Sequence, residues 1–146
     1  WMEAGDFGTF YEETLFVLGR RADVLTIRAE GCPPRRYWPS LIEQTAARAA
    51  PGSVIAHRTA AVQDVDGRVV VIAETRKNAD PAAAADAIRG AVVREHGLVL
   101  ADVVLTVAGA VPVTTSGKLR RAELGRSYRS AEGLGDARLR SLRAAS

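Results

Sequence analysis

The chain has 146 residues, of which 47% are hydrophobic and 25% charged, a composition typical of a folded domain and not of a disordered segment. Only 5% are aromatic, so we expect a core of Ala, Val, Leu and Ile. The length fits one domain, or one small domain that carries a piece of another. No apolar run approaches the roughly 18 residues of a membrane-spanning helix, and no membrane span is predicted.

The chain has one cysteine, Cys32, which excludes an internal disulfide and indicates a reducing, cytoplasmic compartment. The N-terminus lacks the basic and then apolar pattern of a secretory signal. It begins with Trp1 and runs directly into structured-looking sequence, so we expect a piece of a longer protein. His57, His96 and the scattered acids have no metal-ligand spacing, and no metal site is predicted.

The net charge of +3 is unevenly distributed along the chain. Residues 118–146 contain eight Lys/Arg and three Asp/Glu, a net charge of +5. Such a block is most often a solvated surface and less often a site for an anionic partner. For residues 129–146 we expect a basic tail, either a loose amphipathic helix around Leu139 and Leu142 or a disordered segment.

The N-terminal third of the chain has strand patterns at residues 14–18 and 24–28. The polar link between them, residues 19–23, is short and is a candidate domain boundary. Residues 31–39 contain three prolines and predict a loop.

Three helices are predicted, over residues 40–50, 81–96 and 119–130. Ser40 and Glu43 form a capping-box pattern at the start of the first helix. Asp80 precedes Pro81 as the N-cap of the second helix, which we expect to end at Gly97.

Three further strands are predicted, over residues 53–63, 68–75 and 101–107. The Asp66-Gly67 pair between the first two is a hairpin signal. Together with the N-terminal strands, these elements predict an α/β (α+β) fold. We expect a small mixed sheet of about three strands with helices packed on it, plus an N-terminal two-stranded piece.

The most informative run extends from Val111 to Arg121, between the last predicted strand and the last predicted helix. Small hydroxyl residues, one glycine and Lys118 indicate a mobile loop with hydrogen-bond donors and a positive charge suited to phosphate or carboxylate oxygens. The run is not a Walker-type phosphate loop, because Pro112 replaces the first glycine and Leu119 the magnesium-binding Ser/Thr. On spacing alone, a solvated turn is favoured.

Three runs together resemble, in order and spacing, the C-terminal part of the adenylate-forming enzymes: Gly5-Asp6, Gly19-Arg20-x-x-Asp23, and Pro112 to Lys118. That family comprises acyl-CoA synthetases, fatty acyl-AMP ligases, luciferases and peptide-synthetase adenylation domains. The resemblance covers residues 1 to about 128.

Some residues look more like those of fatty acyl-AMP ligases than of CoA ligases, namely Trp1, Gly8 and the run from Tyr37 to Glu43. The chain departs from the family pattern at Ala4, where Thr is usual, and at Ala22, where Lys or Asp is usual. The run from Cys32 to Arg36 also looks a few residues longer than expected.

The resemblance implies a role for each matching residue. Asp6 would bind the ribose hydroxyls of ATP, and Arg20 would contact the nucleotide near the hinge. Lys118 would be the catalytic lysine that bridges the incoming carboxylate and the α-phosphate. Ser116 and Gly117 would belong to the same nucleotide-binding loop.

The resemblance also implies a domain organisation and a reaction. Residues 1–21 would end a large N-terminal adenylation domain, Ala22 and Asp23 would form the hinge, and residues 22–128 would be the mobile C-terminal domain. The complete enzyme would convert a fatty acid and ATP, with Mg²⁺ held by the large domain, to acyl-AMP and pyrophosphate. The acyl group would then pass to an acyl carrier protein or CoA, and this fragment alone would be inactive.

Two other hypotheses remain open from the sequence. The chain could be a stand-alone basic module that binds nucleic acid, although its tail lacks interleaved aromatics apart from Tyr128 and has no groove-reading motif, so nucleic acid is not the favoured partner. It could also be a degenerate domain that docks a carrier protein without catalysis.

Overall fold

The computed structural model describes residues 5–130 and 139–141, which form three α-helices and eight strands in three sheets. The largest sheet is mixed and has helices packed on both faces, and a separate two-stranded sheet lies at the N-terminus. The predicted fold class is therefore confirmed.

The N-terminal sheet is a hairpin of β1 (Asp6–Tyr11) and β2 (Thr14–Arg20), in which Asp6 lies opposite Arg20. The strand predicted at residues 14–18 is confirmed, whereas β1 was not predicted because Gly8 and Thr9 interrupt its apolar alternation. Phe10 is 73% exposed, so the hairpin adds little to the core.

A second small sheet pairs β3 (Leu25–Ile27) with β4 (Arg35–Tyr37) in antiparallel orientation. The strand predicted over residues 24–28 is confirmed. The loop predicted for residues 31–39 is wrong at β4, because pairing with β3 gives these residues a strand conformation that their own sequence does not favour.

The main sheet has the strand order β5 (Val54–Gln63), β6 (Val69–Thr75), β7 (Asp102–Thr106) and β8 (Leu139–Ser141). β5 and β6 form an antiparallel hairpin, β6 and β7 are parallel, and β8 pairs antiparallel with β7. The first three strands are the predicted ones. β8 was not predicted: a helix or disorder was expected there, and the strand forms by pairing with the edge of β7. The rest of the predicted tail, residues 131–138 and 142–146, lies outside the described residues.

The hairpin predicted at Asp66-Gly67 is confirmed, but its loop comprises residues 64–68. The loop is longer than the two-residue turn because the Asp64 carboxylate accepts hydrogen bonds from the backbone N–H groups of Asp66 and Arg68, at 2.9 and 2.8 Å.

The helices are α1 (Pro39–Ala49), α2 (Pro81–His96) and α3 (Arg121–Arg129). Asp80 caps α2 as predicted, and Gly97 ends it with φ 60°. The capping box predicted for α1 is wrong. The helix begins one residue earlier, after Trp38, and the Glu43 side chain is buried in other contacts.

β6 is buried on both faces because helices cover each of them. Val69, Val71 and Ala73 point toward α1 and α2, whereas Val70 and Ile72 point toward α3. The segment that connects β7 to α3 lies on the α3 side, where Val111 belongs to the second core cluster. This arrangement fixes the start of the lysine loop, residues 111–120, against the sheet.

Candidate functional site

Lys118 lies in a closed turn, residues 114–118. The N–H of Thr114 donates to the carbonyl of Lys118 at 2.8 Å, and the N–H of Gly117 donates to the carbonyl of Thr114 at 2.9 Å. The N–H of Lys118 also donates to the Thr114 hydroxyl at 3.0 Å. Val113 and Leu119 pair at the base of the turn. The composition had favoured a mobile loop, but these bonds close it.

The Lys118 side chain is exposed, and its ammonium makes no hydrogen bond or ion pair with any residue that the structure describes. Gly117 has φ 81°, in the left-handed region that favours glycine. The turn therefore presents an uncommitted cation on a fixed backbone.

An open cleft of about 610 Å³ lies between this turn, the start of α3 and the segment after β2. The charged residues that line it are Arg20, Asp23, Lys118, Arg120, Arg121, Glu123 and Arg126. Arg120 pairs with Glu123 at 3.0 Å, and Arg121 pairs with Asp23 at 3.3 Å. Arg20, Lys118 and Arg126 leave the cleft with an excess of positive charge, which suits an anionic ligand.

The structure brings three of the predicted site residues together, because Arg20, Lys118 and the predicted hinge residue Asp23 all line this cleft. Asp6 lies opposite Arg20 in the β1–β2 ladder, is exposed, and does not line the cleft. Ser116 and Gly117 lie in the turn itself, and the Ser116 hydroxyl is 2.9 Å from that of Thr114.

The predicted hinge residues lie in a 3₁₀ turn, Arg21–Asp23, between β2 and β3. Ala22 is exposed, whereas Asp23 is partly buried and lines the cleft.

Arg121 joins the segment after β2 to the body of the fold. Its Nε and Nη2 donate to Glu43 Oε1 and Oε2, each at 2.7 Å, and its Nη1 lies 3.3 Å from Asp23 Oδ2. Glu43 is only 7% exposed and also accepts the backbone N–H of Ala61 at 3.0 Å. The hydrogen bond to Glu43 raises the pKa of Arg121 above its ordinary value, so this residue stays charged.

A second buried acid holds the entrance of the lysine loop. Glu74 is 2% exposed, and its Oε1 accepts the backbone N–H of Val111 at 2.9 Å. Arg58 Nη1 donates to the Val111 carbonyl at 2.9 Å and lies 3.8 Å from Glu74 Oε1. The backbone N–H and C=O of Val111 are therefore both satisfied, one by an acid and the other by an arginine.

Of these network residues only Asp23 was predicted as part of the site, as a hinge residue. Glu43 had been interpreted as a helix cap, which is the ordinary meaning of its spacing from Ser40. A usable signal existed for Glu74, since it directly follows five apolar residues of a strand and therefore cannot easily reach solvent.

Among residues 5–130 and 139–141 no cluster of three His, Cys, Asp or Glu side chains could hold a metal ion. His57 is exposed, and His96 Nε2 lies 2.9 Å from the Thr45 hydroxyl. Neither histidine lines the cleft. In the described part of the chain, no helix is long and apolar enough to cross a membrane.

Comparisons with known proteins identify the family of this chain. The family model for the AMP domain of Disco-interacting protein 2-like proteins matches residues 27–133. A 4-hydroxyphenylalkanoate adenylyltransferase of Mycobacterium marinum is 35% identical over 139 residues, which cover 89% of this chain and 21% of that protein. A long-chain-fatty-acid–AMP ligase of Mycobacterium tuberculosis is 34% identical over 137 residues, covering 88% of this chain and 23% of that protein.

A solved structure from work on the fatty acyl-adenylate ligases of E. coli and L. pneumophila superposes with a TM-score of 0.74 at 25% identity. The match covers 92% of this chain and 23% of the other. This chain thus spans about a fifth of the length of the relatives it matches. The predicted membership of the adenylate-forming family is confirmed, and the chain belongs to the Disco-interacting protein 2-like AMP-domain family of adenylate-forming proteins.

Proposed function

We propose that this chain is the C-terminal lid domain of an ATP-dependent acyl-adenylating ligase and that Lys118 is its catalytic lysine. The observation that carries the proposal is that Lys118, on a closed turn, and Arg20, next to the predicted hinge, line one positively charged cleft. Neither side chain makes a hydrogen bond or ion pair with a residue that the structure describes, so both cations can bind an anionic ligand in the cleft.

The reaction explains why a cation is needed there. A carboxylate oxygen of the fatty acid attacks the α-phosphorus of ATP, an O–P bond forms, and the bond to the bridging oxygen of the β-phosphate breaks. Two anions approach each other, and pyrophosphate leaves with the released negative charge. An ammonium placed between the carboxylate and the α-phosphate stabilises this transition state more than the separated reactants.

The remaining predicted residues have supporting roles in this proposal. Arg20 neutralises the nucleotide phosphates, and Asp6 accepts hydrogen bonds from the ribose hydroxyls. Ser116 and Gly117 set the path of the backbone that leads to Lys118 and offer polar groups to the nucleotide. Mg²⁺ would accompany ATP and be held by the large domain.

The domain boundaries follow the same logic. Residues 1–21 would end the large adenylation domain, Ala22 and Asp23 would form the hinge, and residues 22–128 would rotate as the lid, followed by the basic tail from residue 129. The 3₁₀ turn at the hinge supports this division, because none of its three residues is buried in the core. Without the large domain, we expect the fragment alone to be inactive.

The substrate class is carried over from the relatives. One of them is by name a long-chain-fatty-acid–AMP ligase and another an adenylyltransferase of 4-hydroxyphenylalkanoates, which supports a carboxylic acid with an apolar body. In the second half-reaction the acyl group would pass to an acyl carrier protein or to CoA.

The test is acyl-AMP formation by the complete protein with Lys118→Ala. We expect a loss of about 100-fold or more in kcat, because a transition-state charge contact is removed. Lys77→Ala is the matched control, since Lys77 is the other lysine, is exposed, and does not line the cleft. A Lys118→Ala rate close to that of the unchanged protein would refute the lysine assignment.

A further inference from the structure

The strands β5 and β6 place two charged side chains on the sheet face that carries α3. On β5, Arg58 reaches the carbonyl of Val111, which belongs to the same α3-side core cluster as Ala60 and Val62. Along β6, Glu74 shares its face with Val70 and Ile72. An acid and an arginine thus meet within a mostly apolar layer, 3.8 Å apart.

These two side chains hold the backbone of Val111, where the chain enters the lysine loop. Glu74 accepts the N–H of Val111 at 2.9 Å, and Arg58 donates to the Val111 carbonyl at 2.9 Å. Val111 itself is 1% exposed, so its apolar side chain is fixed as well. The position and the orientation of Val111 are therefore both determined.

The constraint on Val111 continues to Lys118 through the backbone. The carbonyl of the next residue, Pro112, accepts the N–H of Arg120 at 3.0 Å, and Val113 pairs with Leu119. These bonds join the strand-like segments on the two sides of the turn. A shift of Val111 would consequently move the turn and the lysine together.

A buried carboxylate is a costly way to satisfy one amide, because desolvation of the charge opposes folding. Neutral side chains could fill this apolar layer, so stability alone does not account for a charged pair at this point. The Glu74 side chain does offer an acceptor from a buried, fixed position, at 2.9 Å from the Val111 nitrogen, and a fixed acceptor is what accurate placement of a loop requires.

We infer that Glu74 and Arg58 are positioning residues for adenylation: they fix the entrance of the lysine loop so that Lys118 meets the reacting carboxylate and α-phosphate in the productive geometry. The inference rests on the proposed function of Lys118. Reaction rates depend steeply on such geometry, and a displacement of about 1 Å can reduce a rate by about 100-fold.

The test compares two substitutions of Glu74 in the complete protein. Glu74→Leu removes the acceptor of the Val111 N–H, and we expect kcat for acyl-AMP formation to fall by about 10- to 100-fold while the KM for ATP changes by less than about 3-fold. Glu74→Gln keeps an acceptor oxygen at this position and should restore kcat to within about 5-fold of the unchanged protein.

The matched control is Thr45→Val. Thr45 is 1% exposed and bonds Glu95 and His96 between α1 and α2, so this change also removes buried hydrogen bonds but does not touch the lysine loop. We expect a lowered Tm with unchanged kcat. If Thr45→Val reduces kcat as much as Glu74→Leu does, the effect of Glu74 is general and the inference is wrong.

A double variant distinguishes this inference from the proposed function. If Glu74 acts through Lys118, adding Glu74→Leu to Lys118→Ala causes no further loss of acyl-AMP formation. A further loss of about 10-fold or more would show a separate structural effect and overturn the inference. Full activity of Glu74→Leu with an inactive Lys118→Ala protein would overturn the inference and leave the function intact, whereas an active Lys118→Ala protein would overturn the function itself.

Should Glu74→Leu fail to fold, Arg58→Met provides the same test. It removes the donor to the Val111 carbonyl, and the Arg58 side chain is 28% exposed, so the apolar replacement is easier to accommodate. We expect kcat to fall by about 3- to 10-fold. No change in kcat for a folded Arg58→Met protein would contradict the inference.

Discussion

At the residue scale, Gly117 has a conformational role that can be separated from packing. Its φ of 81° lies in the left-handed region, and a Cβ added there would meet no heavy atom within 4 Å. Alanine would therefore cost about 1 kcal/mol through backbone strain and not through a clash. The glycine next to Lys118 is thus explained by the shape of the turn.

We predict that Gly117→Ala lowers kcat for acyl-AMP formation by about 3- to 10-fold, because relief of the strain opens the turn and moves Lys118. The measurement is acyl-AMP formation by the complete protein at saturating ATP. Gly109→Ala is a matched control: Gly109 has φ 84°, an added Cβ would likewise meet open space, and the residue lies outside the lysine turn. Equal losses in the two variants would mean that backbone strain at the turn has no specific effect on Lys118.

The sequence predicted the residues that the turn exposes but not those that hold it. Lys118 and Arg20 are recognisable because they belong to short runs with a fixed order. Glu74 and Arg58 act through a peptide that is 37 and 53 residues away along the chain. No local pattern encodes such a contact, since it depends on which strands become neighbours and which face of the sheet is covered.

At the scale of single elements, the start of α3 depends on Arg121. This residue is the first of the helix, follows the lysine loop at once, and binds Glu43 of α1 through two hydrogen bonds of 2.7 Å. The side chain of Glu43 is only 9% exposed. Removing the arginine would leave a buried carboxylate without its main counter-charge, which is far more costly than losing a surface ion pair.

We predict that Arg121→Met lowers the free energy of unfolding of the chain by about 2 kcal/mol, measured by urea denaturation. Arg120→Met is the neighbouring control, and it should cost at most about 1 kcal/mol because the pair of Arg120 with Glu123 is exposed. Similar losses for the two variants would contradict a special role of the pair between Arg121 and Glu43.

The loss of unfolding free energy in Arg121→Met has a pH dependence that follows from the pair of Arg121 with Glu43. The pKa of Arg121 is raised by Glu43, so its contribution to stability is fully present below the ordinary pKa of arginine and is lost only as the pH rises through the still higher pKa of the folded state. The difference between the unchanged chain and Arg121→Met should therefore stay constant from about pH 6 to about pH 9.

Prediction of the elements succeeded where the signals are local. Asp80 and Gly97 mark both ends of α2 with their own side chain or backbone preference, and the structure has both caps. β4 and β8 have no such signal, because each is a three-residue strand that exists only through pairing with β3 or β7. The same limit explains why Glu43 was interpreted as a cap: its true partner, Arg121, is 78 residues away.

At the scale of the whole molecule, the N-terminal hairpin differs from the rest of the described chain. Phe10, Tyr11 and Val17 are 73%, 64% and 65% exposed, whereas all apolar side chains of β6 and β7 are buried. Exposed aromatic and β-branched residues in a hairpin indicate that another part of a protein covers them. This contrast supports the proposal that residues 1–21 belong to a preceding large domain and that the chain bends at Ala22 and Asp23.

A hinge at this point makes a prediction about the two half-reactions. Ala22→Pro restricts φ at residue 22 and disfavours the helical region for Arg21, so rotation between the two domains should be hindered. We expect acyl-AMP formation and the subsequent acyl transfer to respond differently, with acyl transfer reduced by about 10-fold or more and acyl-AMP formation changed by less than about 3-fold.

Ala22→Gly, which leaves φ unrestricted, is the control and should reduce neither rate by more than about 3-fold. The two half-reactions are measured separately, as acyl-AMP formed from fatty acid and ATP and as acyl product formed from added acyl-AMP. Parallel loss of both rates in Ala22→Pro would indicate misfolding, and unchanged rates would place the hinge elsewhere in the chain.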